Sequence, residues 1–155
     1  MTAQTETNGF VKALTQQERK AIEIFYGAWK AKQPELLDMV CTPDWKDIPL
    51  GPGQVDGPQG LKDIITYFTS VLPDVEIVIH EIFGTHERAG VRASIVFTHS
   101  NEILGIPATN KKVSIALHEF HYLKNGKLTH TWHLEDWFGL LMQSEAWPAK
   151  SLNKN

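Results

Sequence analysis

The chain has 155 residues, 42% hydrophobic and 21% charged, with a formal net charge of −3, which fits one domain with a sizeable core. With no basic run, nucleic acid is not an expected partner; with no run of 18 apolar residues, neither is a membrane. The single cysteine, Cys41, excludes an intramolecular disulfide, and with the absence of a leader-like apolar stretch this makes the cytoplasm the expected location.

Residues 1–14 are polar and are expected to be frayed. Thr15 with Glu18 three residues on forms a capping-box pattern. The helix that follows places Ala21, Ile22, Phe25, Ala28 and Trp29 on one stripe. Pro34 opens a second short helix, PELLDMV, ending near Cys41. The stretch TPDWKDIPLGPGQVDGPQG is rich in Pro, Gly and Asp and reads as irregular chain, with a short strand around Trp45 to Ile48. A third helix, GLKDIITYFTSVL, carries Leu61, Ile64, Ile65, Phe68 and Leu72 at helical spacing and stops at Pro73.

The pattern then turns strand-rich. Strands are expected over 75–84, 91–100, 112–123 and 127–138, with a long loop over NEILGIPATNK. Asn125-Gly126 marks a two-residue type I′ hairpin turn, because both central residues need φ > 0. The remainder, 139–155, shortens into an apolar turn and then a polar tail, with a single domain over 15–146 and a flexible segment over 147–155. Helices first and a meander after them predict an α+β fold. Its helices pack on a curved, mostly antiparallel sheet that makes a cone open at one end, a natural small-molecule site.

The hairpin holds four of the seven histidines. With an unbroken two-residue turn, His121 faces His130, Glu119 faces Trp132, Leu117 faces Leu134 and Ile115 faces Asp136, all on one sheet face. His118 faces His133 and Ala116 faces Glu135 on the other. The histidines are thus split between faces, and no metal site is expected. Asp136 shares its face with Trp132 and Leu134. A carboxylate in such surroundings either has a raised pKa, as an acid/base catalyst needs, or caps the following turn; both readings stand. Arg92 and His99, on the neighbouring strand, are the candidate partners from outside the hairpin. The aromatic groups His118, Phe120, His133 and Trp137, placed on the outer face, predict a homodimer.

LPDVEI, VRASIVFTHSNEILGIPATNKKV and HEFHYLKNGKLTHTWHLEDWFGLL together resemble the SnoaL-like polyketide cyclase family, of the nuclear-transport-factor-2-like cone fold. The resemblance runs over roughly residues 18–143. It rests on Pro73-Asp74, Arg92, Thr98-His99, Gly105 to Lys111, Asn125-Gly126-Lys127, Trp132, Asp136, Gly139-Leu140-Leu141 and Gln143. Phe97 and the loop IPATNK depart from the family pattern. The resemblance implies a cofactor-free enzyme on a carbonyl-bearing, hydrophobic or aromatic small molecule. Asp136 would be the acid/base that abstracts a proton alpha to a carbonyl, for aldol-type ring closure or isomerisation. His99, Arg92 and His121 would be donors, and Trp132, Trp29, Trp45, Phe25, Tyr26 and Leu134 the substrate-binding walls. A limonene-epoxide-hydrolase-like mechanism is disfavoured, because Arg92-Ala93-Ser94 lacks the carboxylate it would need. A ketosteroid-isomerase-like reaction stays open, as does a non-catalytic ligand-binding dimer of the same fold.

Overall fold

The computed structural model describes residues 11–148. The expectations for 1–10 and 149–155 lie outside the described residues. Ala13 bridges to Thr85, and the Lys12 carbonyl accepts from His86 N–H at 2.9 Å, so the segment 11–14 is tied to the sheet rather than frayed.

Helix α1 spans Gln16–Ala31 and carries the full capping box at Thr15 and Glu18. Its stripe of Ala21, Ile22, Phe25, Tyr26, Ala28 and Trp29 is buried. Lys32, in a left-handed conformation, ends it by donating to the last carbonyls. A 3₁₀ turn at Pro34–Leu36 leads into α2, Leu37–Val40, which runs directly into strand β1, Cys41–Ile48. The strand is longer than the sequence pattern predicts. Helix α3, Pro58–Val71, has Pro58 in its first turn, where a missing N–H costs nothing. Strands β2 (Glu76–Thr85), β3 (Arg88–Thr98), β4 (Lys112–Lys124) and β5 (Lys127–Glu135) follow, then α4, Trp137–Gln143. The last strand therefore stops three residues earlier than its alternation suggests, because the chain turns into a helix at Asp136.

One sheet results, in the order β1-β5-β4-β3-β2. β1 runs parallel to β5 and the other pairs are antiparallel. The helices cover one face. β4 alternates without a fault between buried odd and exposed even residues, as a strand between an apolar interior and an open face should.

The hairpin turn is as the sequence predicts, with Asn125 and Gly126 both at positive φ and Lys124 opposite Lys127. Two residues on, the register slips. Leu123 still pairs with Leu128, but Tyr122 pairs with His130, leaving Thr129 as the extra residue of a bulge. The Thr129 hydroxyl donates to the Tyr122 carbonyl at 3.2 Å. Beyond that point every side chain of β5 changes face. Glu119 lies opposite His133, Phe120 opposite Trp132 and Leu117 opposite Glu135. Thr131, His133 and Glu135 point inward, while His130, Trp132 and Leu134 point out.

Candidate active site

The helices and the concave sheet face enclose a cavity of about 570 Å³, inside the size range of small-molecule sites. Phe25 and Trp29 of α1, Leu61, Ile64 and Phe68 of α3, and Phe97 and Leu117 of the sheet make apolar walls. Trp137 of α4 closes one side, stacked on Phe68 at 6.4 Å between ring centroids. The segment from Gly51 to Val55 forms part of the rim.

Polar groups converge at one end, from four elements. Glu119 comes from the middle of β4, Tyr26 from α1, Asp47 from β1, and His133 and Glu135 from β5; all five line the cavity. Tyr26 O–H donates to Glu119 Oε2 at 2.5 Å. Glu119 is buried, 7% exposed, and burial pushes its carboxyl up to about 8, against the pull of the Tyr26 hydrogen bond and of nearby His133. Burial and the adjacent Glu119 likewise push the Tyr26 phenol well above its ordinary range.

His133 has an acceptor at each ring nitrogen. Nδ1 donates to Glu135 Oε1 at 2.8 Å and Nε2 to the Pro49 carbonyl at 2.7 Å, with Asp47 Oδ1 3.5 Å away. Only the imidazolium fills both positions. The hydrogen bond to Glu135 accordingly raises His133 to about 9, despite burial. Asp47 is raised by burial, with the Gln54 amide, donating at 2.7 Å, pulling the other way. The end of the cavity thus holds a neutral-leaning acid, Glu119, beside a carboxylate–imidazolium pair, Glu135 and His133. Such a contrast of environments separates acid and base roles.

The expected site residues fall into three groups. Phe25, Tyr26 and Trp29 line the cavity. His121 and Trp45 are buried behind it. His121 Nε2 lies 2.8 Å from the Tyr26 hydroxyl and Nδ1 2.9 Å from Thr131 Oγ1, which also accepts from Trp45 Nε1 at 3.0 Å. Burial drives His121 down to about 3, so its ring stays neutral. The remaining residues lie elsewhere. Asp136 is exposed and caps α4, accepting from Gly139 N–H at 2.8 Å. Of the two readings left open for it, the geometry is that of the cap, and the inward position belongs to Glu135. Trp132 and Leu134 face away from the cavity, Leu134 75% exposed. Arg92 is an exposed residue of β3, 3.6 Å from Glu81. His99 is fully buried but organises the loop after β3. Its Nε2 donates to the Ile106 carbonyl at 3.3 Å, and Nδ1 lies 3.1 Å from the Thr109 hydroxyl.

Glu119, Glu135, His133 and Asp47 are absent from the sequence-based set. His133 and Glu135 were misplaced by the bulge at Thr129, since an ideal register sends Trp132 and Leu134 inward and these two outward, whereas Glu119 had the inward face and was only given Trp132 in place of His133 as its cross-strand neighbour. The Leu128, Trp132, Leu134 alternation argues for that register, so the residues themselves carry no signal against it. The outer face differs correspondingly. His133 and Trp137 lie inside, while Tyr122, His130 and Trp132 form an aromatic cluster outside, with Tyr122 4.7 Å from Trp132 and Phe120, 59% exposed, opposite Trp132 on the neighbouring strand. Among the described residues no group of three or more His, Cys, Asp or Glu is arranged to hold a metal ion, and no helix is long and apolar enough to cross a membrane.

Comparison with known proteins agrees with this architecture. The SnoaL-like polyketide cyclase model matches residues 19–144. No curated protein matches the chain. Among solved structures, TsrD from Streptomyces laurentii superposes with a TM-score of 0.77 at 23% identity, over 86% of this chain and 98% of that one. A candidate polyketide cyclase from Bacillus cereus gives 0.72 at 25% identity, over 88% and 92%. IdmH, a candidate polyketide cyclase from Streptomyces antibioticus, gives 0.74 at 21%, over 83% and 98%. With a match over most of its length and the cone fold of these neighbours, the chain belongs to the SnoaL-like polyketide cyclase family, a family of cyclase-type enzymes.

Proposed function

We propose that this protein is a cofactor-independent enzyme that moves a proton alpha to a carbonyl of an apolar, ring-forming small molecule, by aldol-type cyclisation or isomerisation. The observation that carries this reading is the pairing of a buried, proton-holding Glu119 with the Glu135–His133 pair at the polar end of an otherwise apolar cavity. The acid/base work expected of Asp136 passes to these two glutamates. Glu135 takes the proton from carbon, and the electron pair moves onto the carbonyl oxygen as an enolate. The Glu119 acid donates a hydrogen bond to that oxygen, in a site screened from water where such a donor counts most. The enolate carbon then attacks a second carbonyl of the same molecule, and the resulting alkoxide takes the proton back from Glu135. His133 holds Glu135 in place and offsets the negative charge of the surrounding carboxylates. Aromatic walls from Phe25, Trp29, Phe68 and Trp137 suit a flat, hydrophobic ligand. The outer aromatic face around Phe120 and Trp132 supports a homodimer.

The test is deuterium exchange at the alpha carbon of neutral ring ketones, with 2-tetralone as the first probe, followed by proton NMR in D₂O. The expected result is exchange above the buffer rate, falling about 10²-fold or more in Glu135→Gln and in Glu119→Leu, which removes the donor, and kept in Asp136→Asn. Saturable binding of the ketones with exchange at the buffer rate would replace this reading with the ligand-binding module.

A further inference from the structure

Behind the cavity runs a continuous line of hydrogen bonds: Trp45 Nε1 to Thr131 Oγ1 at 3.0 Å, Thr131 Oγ1 to His121 Nδ1 at 2.9 Å, His121 Nε2 to the Tyr26 hydroxyl at 2.8 Å, and Tyr26 to Glu119 Oε2 at 2.5 Å. Every link is buried. The direction of the line follows from its far end, because an indole N–H only donates. Thr131 therefore accepts from Trp45, and its own O–H has no acceptor among the described residues except His121 Nδ1. His121, with a neutral ring, then carries its proton on Nε2 and donates to the Tyr26 oxygen. The Tyr26 O–H is left to donate to Glu119 Oε2. Run the other way, the line would leave the Thr131 hydroxyl proton buried without a partner, an arrangement that costs as much as a lost hydrogen bond.

We propose that Trp45, acting through Thr131, His121 and Tyr26, decides which oxygen of Glu119 carries its proton. Oε2 is held as an acceptor, so the proton sits on Oε1. That oxygen has no hydrogen-bond partner among the described residues, and Glu119 lines the cavity. Trp45, Thr131 and His121 are thus positioning residues: none lines the cavity, yet together they aim an O–H donor at the ligand. The groups facing Glu119 from neighbouring elements are Tyr26 of α1, Asp47 of β1, and His133 and Glu135 of β5; none of them replaces Tyr26 as the partner of Oε2. The aim of the proton is a property of the folded chain, but its use in catalysis rests on the acid role proposed above for Glu119.

The direct test is two-dimensional proton–nitrogen NMR of the imidazole rings in the uniformly ¹⁵N-labelled full chain at pH 6.5. His121 is expected as the Nε2–H tautomer alone. An Nδ1–H tautomer or an imidazolium in the wild-type chain overturns the proposal, and this measurement needs no variant. Thr131→Val should abolish the fixed tautomer and Thr131→Ser should restore it. In Trp45→Phe an Nδ1–H population should appear, because Thr131 is freed to accept. An unchanged tautomer in both Trp45→Phe and Thr131→Val would also overturn it. The exchange assay separates the two claims. Trp45→Phe should lower the maximal rate roughly tenfold with KM unchanged, as for a group acting only in the transition state. A fixed Nε2–H tautomer with no loss of exchange in Glu119→Leu would leave the proton placement standing and remove the acid role. A wrong tautomer with Glu119→Leu inactive would do the reverse.

Discussion

Replacing Glu119 by Gln gives the sharpest test of the site, because it converts a titrating acid into a fixed copy of its protonated form. In the folded chain the carboxyl is raised to about 8, against 4.5 for an ordinary glutamate. Between those values the folded state binds more protons than the unfolded state, so stability falls as pH rises, with a limiting slope of about 1.4 kcal/mol per pH unit. Over the whole window the burial of this charge costs roughly 3–5 kcal/mol, a large part of a typical domain's stability. At pH 5 the wild-type chain and Glu119→Gln should be nearly equal in stability, since both present a neutral group that accepts from Tyr26. At pH 8.5 the variant should be the more stable by several kcal/mol. His133, raised to about 9, also contributes stability that is lost as pH rises from about 6.5 to 9. The difference between the two chains, not the wild-type curve alone, therefore isolates Glu119. Urea unfolding at pH 5, 6.5 and 8.5, followed by tryptophan fluorescence, reads it directly. A constant difference across that range would show that Glu119 ionises as freely folded as unfolded, and the acid assigned to the cavity would be lost with it.

Other outcomes follow from the same geometry. Asp136→Ala removes the cap of α4 and should lower stability by about 1 kcal/mol, measured by thermal unfolding, whereas Asp136→Asn keeps the cap and should keep the ketone exchange rate. Gly139→Ala should resemble the Ala variant, since a Cβ there would meet Asp136 Oδ2 at 2.2 Å. Arg92→Ala breaks only an exposed ion pair with Glu81 and should change stability by less than about 1 kcal/mol; a large loss of exchange activity would mean that Arg92 reaches the ligand after all. Gel filtration should give twice the 17.5 kDa chain mass, and Phe120→Glu on the outer aromatic face should move elution to the monomer.

Much of the architecture could be read locally. The capping box, the stripe of α1, the Pro58 start of α3 and the Asn125-Gly126 turn each depend on residues within one or two turns of each other. Local propensity and period decide such features, and they imply the helix-then-meander order that matches the cone fold. Phe25, Tyr26 and Trp29 could be placed at the cavity because a helix stripe has one inward side. The polar end of the site was not legible in the same way. Period two makes a strand's facing all-or-none, so the single extra residue at Thr129 exchanges Trp132, Leu134 and Asp136 for His133 and Glu135. Nothing within β5 announces that exchange. It is favoured by partners distant in sequence, with Pro49 and Asp47 receiving His133, and with Trp45 and His121 meeting at Thr131. The sequence by itself determined the fold, the family and the helix that walls the cavity. Only the tertiary structure decided which carboxylates stand inside, because burial and hydrogen bonds drawn from four separate elements give Glu119 its proton and His133 its charge.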